Sequence, residues 1–226
     1  MKSCEQQGYW LVRQEDRAVA VLLFGDRRAP RSLTGSPLHR VADAADVDAA
    51  IGPHRRLVVI GADADLATVL TRLLRAGRLD VEVAYVPRRR TRATRVYRLP
   101  AGWRAARRAR RGAARRVTLL RDETGSVVVG RAGWAPPEGE PFVHGEAVVD
   151  DAVLFDGDVR AVDIEPMPAV PGLRARVATG RRRWVAGRAA QLGSTGVTVV
   201  RDGVRAPRAA RRSTFYRNVE GWLAVR

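Results

Sequence analysis

Residues 57–74, LVVIGADADLATVLTRLL, constrain this chain more than any other stretch. Leu57 to Ile60 is a continuous apolar run of the length expected for a buried strand. The small-residue turn Gly61-Ala62-Asp63-Ala64-Asp65 follows, and Leu66 to Arg75 then carries apolar residues at helical spacing, ending near Gly77. A buried strand passed through a tight turn into a helix aims backbone N–H groups at whatever lies beyond the turn, commonly a phosphate. This turn has a single glycine and two carboxylates, a composition that suits phosphate poorly.

The flanking pattern predicts an α/β layer with a parallel sheet. Residues 18–24 (AVAVLLF) form a strand ended by Gly25-Asp26, and residues 26–37 form a loop. Val41 to Ile51 is a short helix, and Val81 to Val86 a further strand before Pro87. From Val117 the pattern changes. Val117–Arg121 and Ser126–Arg131 predict a hairpin turning at Asp122-Glu123-Thr124-Gly125. Strand candidates at 146–149, 159–165, 173–178, 182–186, 197–200 and 222–225 complete an antiparallel β-rich half. The expected domains are residues 1–114 and 115–226.

With 226 residues and 46% hydrophobic content the chain can bury a core in one large domain or two small ones. The lone Cys4 cannot form an internal disulfide, which suits a reducing cytoplasm. The start MKSCEQQGYW has no apolar signal core, and the run Ala18–Phe24 is too short to span a bilayer. A cytoplasmic protein, peripheral to the membrane at most, is expected.

The net charge is +17, and of 41 basic residues only Lys2 is lysine. A GC-rich genome explains arginine in place of lysine but not the excess of base over acid. Such a surface attracts phosphates of lipid, nucleotide or nucleic acid. Residues 88–116 hold 13 arginines and no acid. Arg104, Arg107, Arg108, Arg111 and Arg115 fall at helical spacing on one face, with Trp103, Ala106, Ala109 and Ala113 on the other. Two readings give this helix a function: contact with anionic lipid, at about 1 kcal/mol per basic side chain, or phosphate-backbone binding to nucleic acid. The simpler reading is a solvated face of a packed helix. Further basic clusters lie at Arg181-Arg182-Arg183-Trp184 and at Arg205–Arg217 with Phe215 and Tyr216.

His39, His54 and His144 are isolated and, with one cysteine, supply no zinc set. There is no Gly-x-Ser-x-Gly elbow and no Walker loop. Carboxylates cluster at Asp150-Asp151, Asp156-Gly157-Asp158 and Asp163-x-Glu165. Such pairs can bind a hard cation or supply a base, but are more often turn residues beside exposed strands, and no metal is expected.

An α/β half with this turn, followed by a β-rich half, resembles the diacylglycerol kinase and related lipid kinase family, which shares its fold with NAD kinases. Gly61-Ala62-Asp63-Ala64-Asp65 stands where the family has GGDGT. VPRRRTRATRVYRLP stands at the family's P-L-G-T-x-N-D-F-A-R segment, with Pro87, Thr91 or Thr94, and Arg95 in register. Val200-Arg201-Asp202-Gly203 is similar to its late V-D-G-E hairpin. The resemblance implies ATP with Mg²⁺ near residues 61–65, Thr91, Thr94 and Arg95, and a lipid hydroxyl as acceptor.

The departures are equally specific. Ala62 and Ala64 restrict positive φ, and Asp65 replaces a threonine with an anion that needs Mg²⁺ or an arginine to compensate it. The family's base lies in a D-G-L-L-D motif, and Pro171-Gly172-Leu173-Arg174 has lost both acids. Asp156-Gly157 is an alternative counterpart. Loss of a base reduces transfer on the order of 10²–10⁴-fold. The leading expectation is a lipid-kinase-like protein with a degenerate site that binds a lipid or nucleotide phosphate, or a protein partner, at the anionic inner membrane face. The alternatives are an active lipid kinase using Asp63 and Asp156, or a basic nucleic-acid-binding module.

Overall fold

The computed structural model describes residues 19–52, 54–178 and 183–226. Cys4, Ala18, Arg181 and Arg182, which entered the sequence reading, lie outside the described residues. The chain divides into two compact units. The first comprises the residues up to Arg90, Leu99–Arg116 and Trp222–Arg226; the second comprises Thr91–Arg98 and Val117–Gly221.

The first unit is built on strands β1 (Val19–Phe24), β2 (Leu38–Val41), β3 (Arg56–Ile60), β4 (Glu82–Tyr85) and β5 (Ala114–Val117), joined by the C-terminal strand Trp222–Val225. From one edge the order is β2, β1, β3, β4, the C-terminal strand and β5. The pairings of β1 with β2 and β3, of β3 with β4, and of β4 with the C-terminal strand are all parallel. Apolar runs such as Leu57–Ile60 are buried, as a sheet covered on both faces requires. The expected loop at 26–37 is correct except for a single 3-10 turn at Arg31–Leu33. Val41, expected to open a helix, instead ends β2.

Two of the helices that pack on this sheet connect its first strands. Helix α1 (Ala44–Ile51) buries Val47, Ala50 and Ile51. Asp43 Oδ1 accepts from Ala45 N–H and Asp46 N–H, while Asp46 Oδ2 accepts from Ala42 N–H and Asp43 N–H, a reciprocal N-terminal cap. Helix α2 (Asp63–Arg75) buries Leu66, Ala67, Val69, Leu70 and Leu73 at i, i+3, i+4 spacing. Gly77 takes φ +65° beyond its end, and Arg78 N–H donates to the Leu73 carbonyl at 2.8 Å. Asp48 of α1 and Arg72 of α2 form an ion pair between the helices.

The C-terminal strand corrects the sequence reading. The sequence pattern groups residues 222–225 with the β-rich half, yet Leu223 and Ala224 pair with Glu82 and Val83 in the parallel sheet. Trp222 is 1% exposed, so this strand is part of the first unit's core.

The second unit is antiparallel. Its strands are β6 (Leu120–Asp122), β7 (Val127–Val128), β8 (Ala132–Ala135), β9 (Val143–Val149), β10 (Ala152–Val159) and β11 (Val162–Pro166). After these come β12 (Leu173–Val177), β13 (Val185–Gly187), β14 (Ala189–Arg201), β15 (Val204–Arg205) and β16 (Ala210–Arg217). The expected hairpin at Asp122–Gly125 is present between β6 and β7, whereas Val117 is the last residue of β5, at the boundary between the two units. Strand β14 ties the unit together. Residues 190–194 pair with β9 and residues 198–201 with β8, with an irregularity between Gly193 and Val197. Trp134 and Phe215 anchor the core, their rings 6.0 Å apart.

Candidate functional site

In a parallel sheet of order β2-β1-β3-β4 the connections leave β1 and β3 in opposite directions, and a crevice opens between their carboxyl ends. The loop at Gly25–Arg27 leaves β1 there, and the Gly61–Asp65 turn leaves β3. Asp65, in the first turn of α2, folds back so that its Oδ2 accepts the Ala62 N–H at 2.7 Å. A Cβ on Gly61 would lie 2.5 Å from that oxygen and 2.7 Å from the Asp65 Cβ. Glycine is required at 61 because the aspartate side chain covers it. Arg27 Nη1 reaches across from the β1 loop to 3.6 Å from Asp65 Oδ2 and also donates to the Phe24 carbonyl at 3.0 Å.

The turn therefore supplies its own anion. Carboxylates in the first turn of a helix are stabilised by its dipole, and here one takes the N–H at the concavity. Neither alanine meets the positive φ that alanine restricts. Ala62 is extended (φ −96°, ψ 178°) and Ala64 lies inside the helix, conformations open to any residue. Asp63, the other acid of the turn, accepts a 2.8 Å hydrogen bond from the Tyr85 hydroxyl of β4. Neither Tyr85 nor Arg27 was singled out in the sequence. The arginine that an anionic Asp65 requires could be foreseen in kind, but its position depends on the strand order.

Thr91, Thr94 and Arg95 belong to the second unit. The two threonine hydroxyls cap the short helix Arg92–Val96. Thr91 Oγ1 accepts from Thr94 N–H at 3.2 Å, and Thr94 Oγ1 accepts from Thr91 N–H at 2.8 Å. Arg95 is exposed, with Nε donating to the Thr91 carbonyl at 3.3 Å. Asp156 is also in the second unit, exposed on β10 directly opposite the exposed Glu146 of β9. The Pro171–Arg174 segment holds no acid, and Arg174 pairs with Glu165.

The Arg-rich helix is shorter than the spacing suggested. It spans Gly102–Ala109 and buries Ala105, Ala106 and Ala109. Arg104, Arg107 and Arg108 share its exposed face. Arg56 Nη1 donates to the carbonyls of Ala109 and Arg110, Nη2 to that of Gly112, and Nε to Glu82 Oε2, which fixes the helix end. A Cβ on Gly112 would lie 2.7 Å from the Arg226 carbonyl, and the chain beyond is drawn into β5. Arg111 and Arg115 are therefore not on that helical face. Arg111 lines a cavity of about 690 Å³ with Arg55, Arg56 and Glu82, at the strand ends opposite the Gly61 turn. Trp103 is not on the packed face either: it is 69% exposed, with the Arg104 guanidinium 5.4 Å from its ring. Ala113 is exposed as well.

Asp163 and Glu165 are buried strand residues rather than turn residues. Asp163 pairs with Arg131 and Arg176, and Glu165 with Arg92 and Arg174. Among the described residues no cluster of His, Cys, Asp and Glu could hold a metal ion. No helix among them is long and apolar enough to cross a membrane.

No family model and no curated protein sequence matches the chain. Solved structures do. A diacylglycerol kinase from Bacillus anthracis str. Sterne superposes with a TM-score of 0.67 at 9% identity, over 92% of this chain and 96% of that one. An NAD kinase from Archaeoglobus fulgidus in complex with ATP gives 0.63 at 9% identity, over 92% and 93%. The yeast NADH kinase complexed with NADH gives 0.57 at 12% identity, over 98% and 78%. Sequence identity this low speaks to architecture, and on that ground the chain has the two-domain fold shared by the diacylglycerol kinase and NAD kinase structures, α/β followed by antiparallel β.

Proposed function

We propose that this protein binds the phosphate of a lipid or nucleotide and performs little or no phosphoryl transfer. The net charge of +17 favours a phosphate ligand, and one observation carries the lack of transfer: the Asp65 carboxylate covers Gly61 and accepts the Ala62 N–H. Phosphate transfer on a turn of this kind needs free N–H donors and a positive field. Here the donor is spent and the nearest added charge is negative. ATP phosphates do not fit the turn as it stands, and no transfer step is assigned to it. The absence of a carboxylate at Pro171–Arg174 supports the same reading, because a lipid hydroxyl needs a base to accept its proton.

Purified protein incubated with ATP–Mg²⁺ and diacylglycerol vesicles tests this. The expected result is ADP formation at background, equal in the wild type and in Asp63→Ala. Turnover well above background that Asp63→Ala abolishes would refute the reading.

The proposal places the protein in the cytoplasm, at the anionic inner face of the membrane. Trp103 exposed beside Arg104, Arg107 and Arg108 supports this location, since an indole and guanidinium groups on one solvent face suit the headgroup layer. Co-sedimentation with vesicles is expected to rise with phosphatidylserine content and to fall in Trp103→Ala. Sedimentation independent of anionic lipid would remove the membrane role.

A further inference from the structure

The second unit carries a charge arrangement that its own packing does not require. Strands β11 and β12 pair so that Asp163 lies directly opposite Arg176, and Glu165 opposite Arg174. Val162, Ile164, Leu173, Ala175 and Val177 alternate with them and are buried in the core. The charged residues therefore share the other face of the sheet. Two more arginines join them. Arg131 Nη2 pairs with Asp163 Oδ1, and Arg92 Nη1 donates to Glu165 Oε1 at 2.6 Å.

Four guanidinium groups thus meet two carboxylates, where two would suffice for neutrality. We propose that Arg92, Arg131, Arg174 and Arg176 form a binding site for a phosphate monoester dianion. The surplus is two positive charges, which matches that ligand. Burial separates the roles. Asp163 and Glu165 side chains are 7% and 11% exposed, while the four arginine side chains are 38–44% exposed. The acids face inward and hold one edge of each fork. The remaining N–H donors have no protein acceptor among the described residues and are open to solvent.

Two features fix the forks in place. The Trp184 ring lies against Arg174 and Arg176, 4.4 and 4.5 Å from its centroid. Stacking occupies guanidinium faces and leaves their N–H edges for an oxyanion, the geometry in which arginine binds phosphate bidentately. Asp202 accepts the N–H groups of Val129, Gly130 and Arg131 at 2.9, 2.7 and 2.9 Å, which anchors the backbone that carries Arg131. Crowding of like charge is already felt there. Burial foremost, then the Arg92 and Arg176 charges, push the Arg131 pKa down against the opposing pull of Glu165. A bound dianion would relieve that repulsion.

This site stands whether or not the Gly61 turn transfers phosphate, and its test needs no ATP. The full chain is titrated calorimetrically at low salt with glycerol 3-phosphate, inorganic phosphate and glycerol, and in a separate arm with phosphatidic acid vesicles. Either phosphate monoester arm saturating while glycerol does not supports the site. Binding of the vesicles alone assigns a lipid headgroup, and binding of glycerol 3-phosphate a soluble ligand. Arg92→Gln, at an exposed position of a short helix, is expected to weaken binding about tenfold, and Arg174→Gln at least as much. Asp163→Asn, which removes a competing anion and keeps all four arginines, is expected to tighten it several-fold. Tryptophan fluorescence should change on binding and lose that change in Trp184→Phe. No saturable binding by folded wild-type protein would overturn the proposal. So would affinities that Arg92→Gln and Asp163→Asn both leave unchanged.

Discussion

Replacing Asp65 with asparagine separates the two jobs of its carboxylate, because the amide keeps the shape and an acceptor oxygen but loses the charge. In the folded protein the carboxylate accepts the Ala62 N–H at 2.7 Å, a charged hydrogen bond. Making that bond neutral costs about 1 kcal/mol. Its place in the first turn of α2 adds roughly 0.3–1 kcal/mol from the helix dipole. The Arg27 contact at 3.6 Å is between partly exposed groups and adds at most about 0.5 kcal/mol. The expected destabilisation is about 1.5 kcal/mol. Affinity for an anion should move the other way. A unit charge about 4 Å from a phosphate oxygen is worth on the order of 4 kcal/mol at an effective dielectric of 20. With Arg27 beside it offsetting about half, roughly 2 kcal/mol remains, or about 30-fold in affinity. Urea denaturation and calorimetric titration with ATP measure the two quantities on the same preparations. Lower stability together with tighter ATP binding is the expected signature. A variant as stable as the wild type, with unchanged ATP affinity, would show that the carboxylate neither holds the turn nor repels phosphate.

Other variants probe the scaffold. Asp122 is fully buried, pairs with Arg201 and accepts from Thr124 N–H and Ser126 N–H, so Arg201→Ala should cost about 3–5 kcal/mol in chemical denaturation. A Cβ on Gly145 would lie 2.2 Å from the Gly193 carbonyl, so Gly145→Ala should force β9 from β14 and cost about 1–3 kcal/mol, read as a lower thermal midpoint. Removing residues 222–226 takes Trp222 from the core and should leave the first unit open to proteolysis while the second stays protected. Backbone hydrogen bonds from Ala42, then Asp43, hold the Asp46 pKa below the ordinary carboxylate value. Its stabilisation is therefore complete above the unfolded value near ~3.9 and lost as pH falls through the lower folded value. Asp46→Asn should remove that acid-side slope from a pH titration of stability.

The sequence made local features visible and left distant pairings hidden. Leu57–Ile60, its turn and α2 were readable because apolar period and turn chemistry act within a few residues. WLAV at 222–225 reads as a strand, but nothing within it indicates a parallel partner at Glu82-Val83. Arg111 and Arg115 keep helical spacing past Ala109, and it is Arg56 on the last carbonyls, with Gly112 packed against the Arg226 carbonyl, that shows why the helix stops. The pair Asp163-x-Glu165 was visible as two acids. That arginines answer them depends on the β11–β12 register, which places Arg174 and Arg176 opposite. Arg27 is illegible in the sequence for the same reason: its partner Asp65 lies 38 residues away and meets it only because β1 and β3 are neighbours.

The C-terminal strand sets an order on folding during synthesis. The parallel sheet begins at β1, but its place between β4 and β5 stays vacant until Trp222–Val225 leaves the ribosome. All the residues of the antiparallel unit emerge before those, so that unit can be complete first although most of it is made later than the other. Meanwhile the flank of β4 that will receive Trp222–Val225 is an unpaired sheet edge, the kind of surface on which nascent chains associate wrongly. The vulnerable interval is the wait between the synthesis of β4 and that of Trp222–Val225.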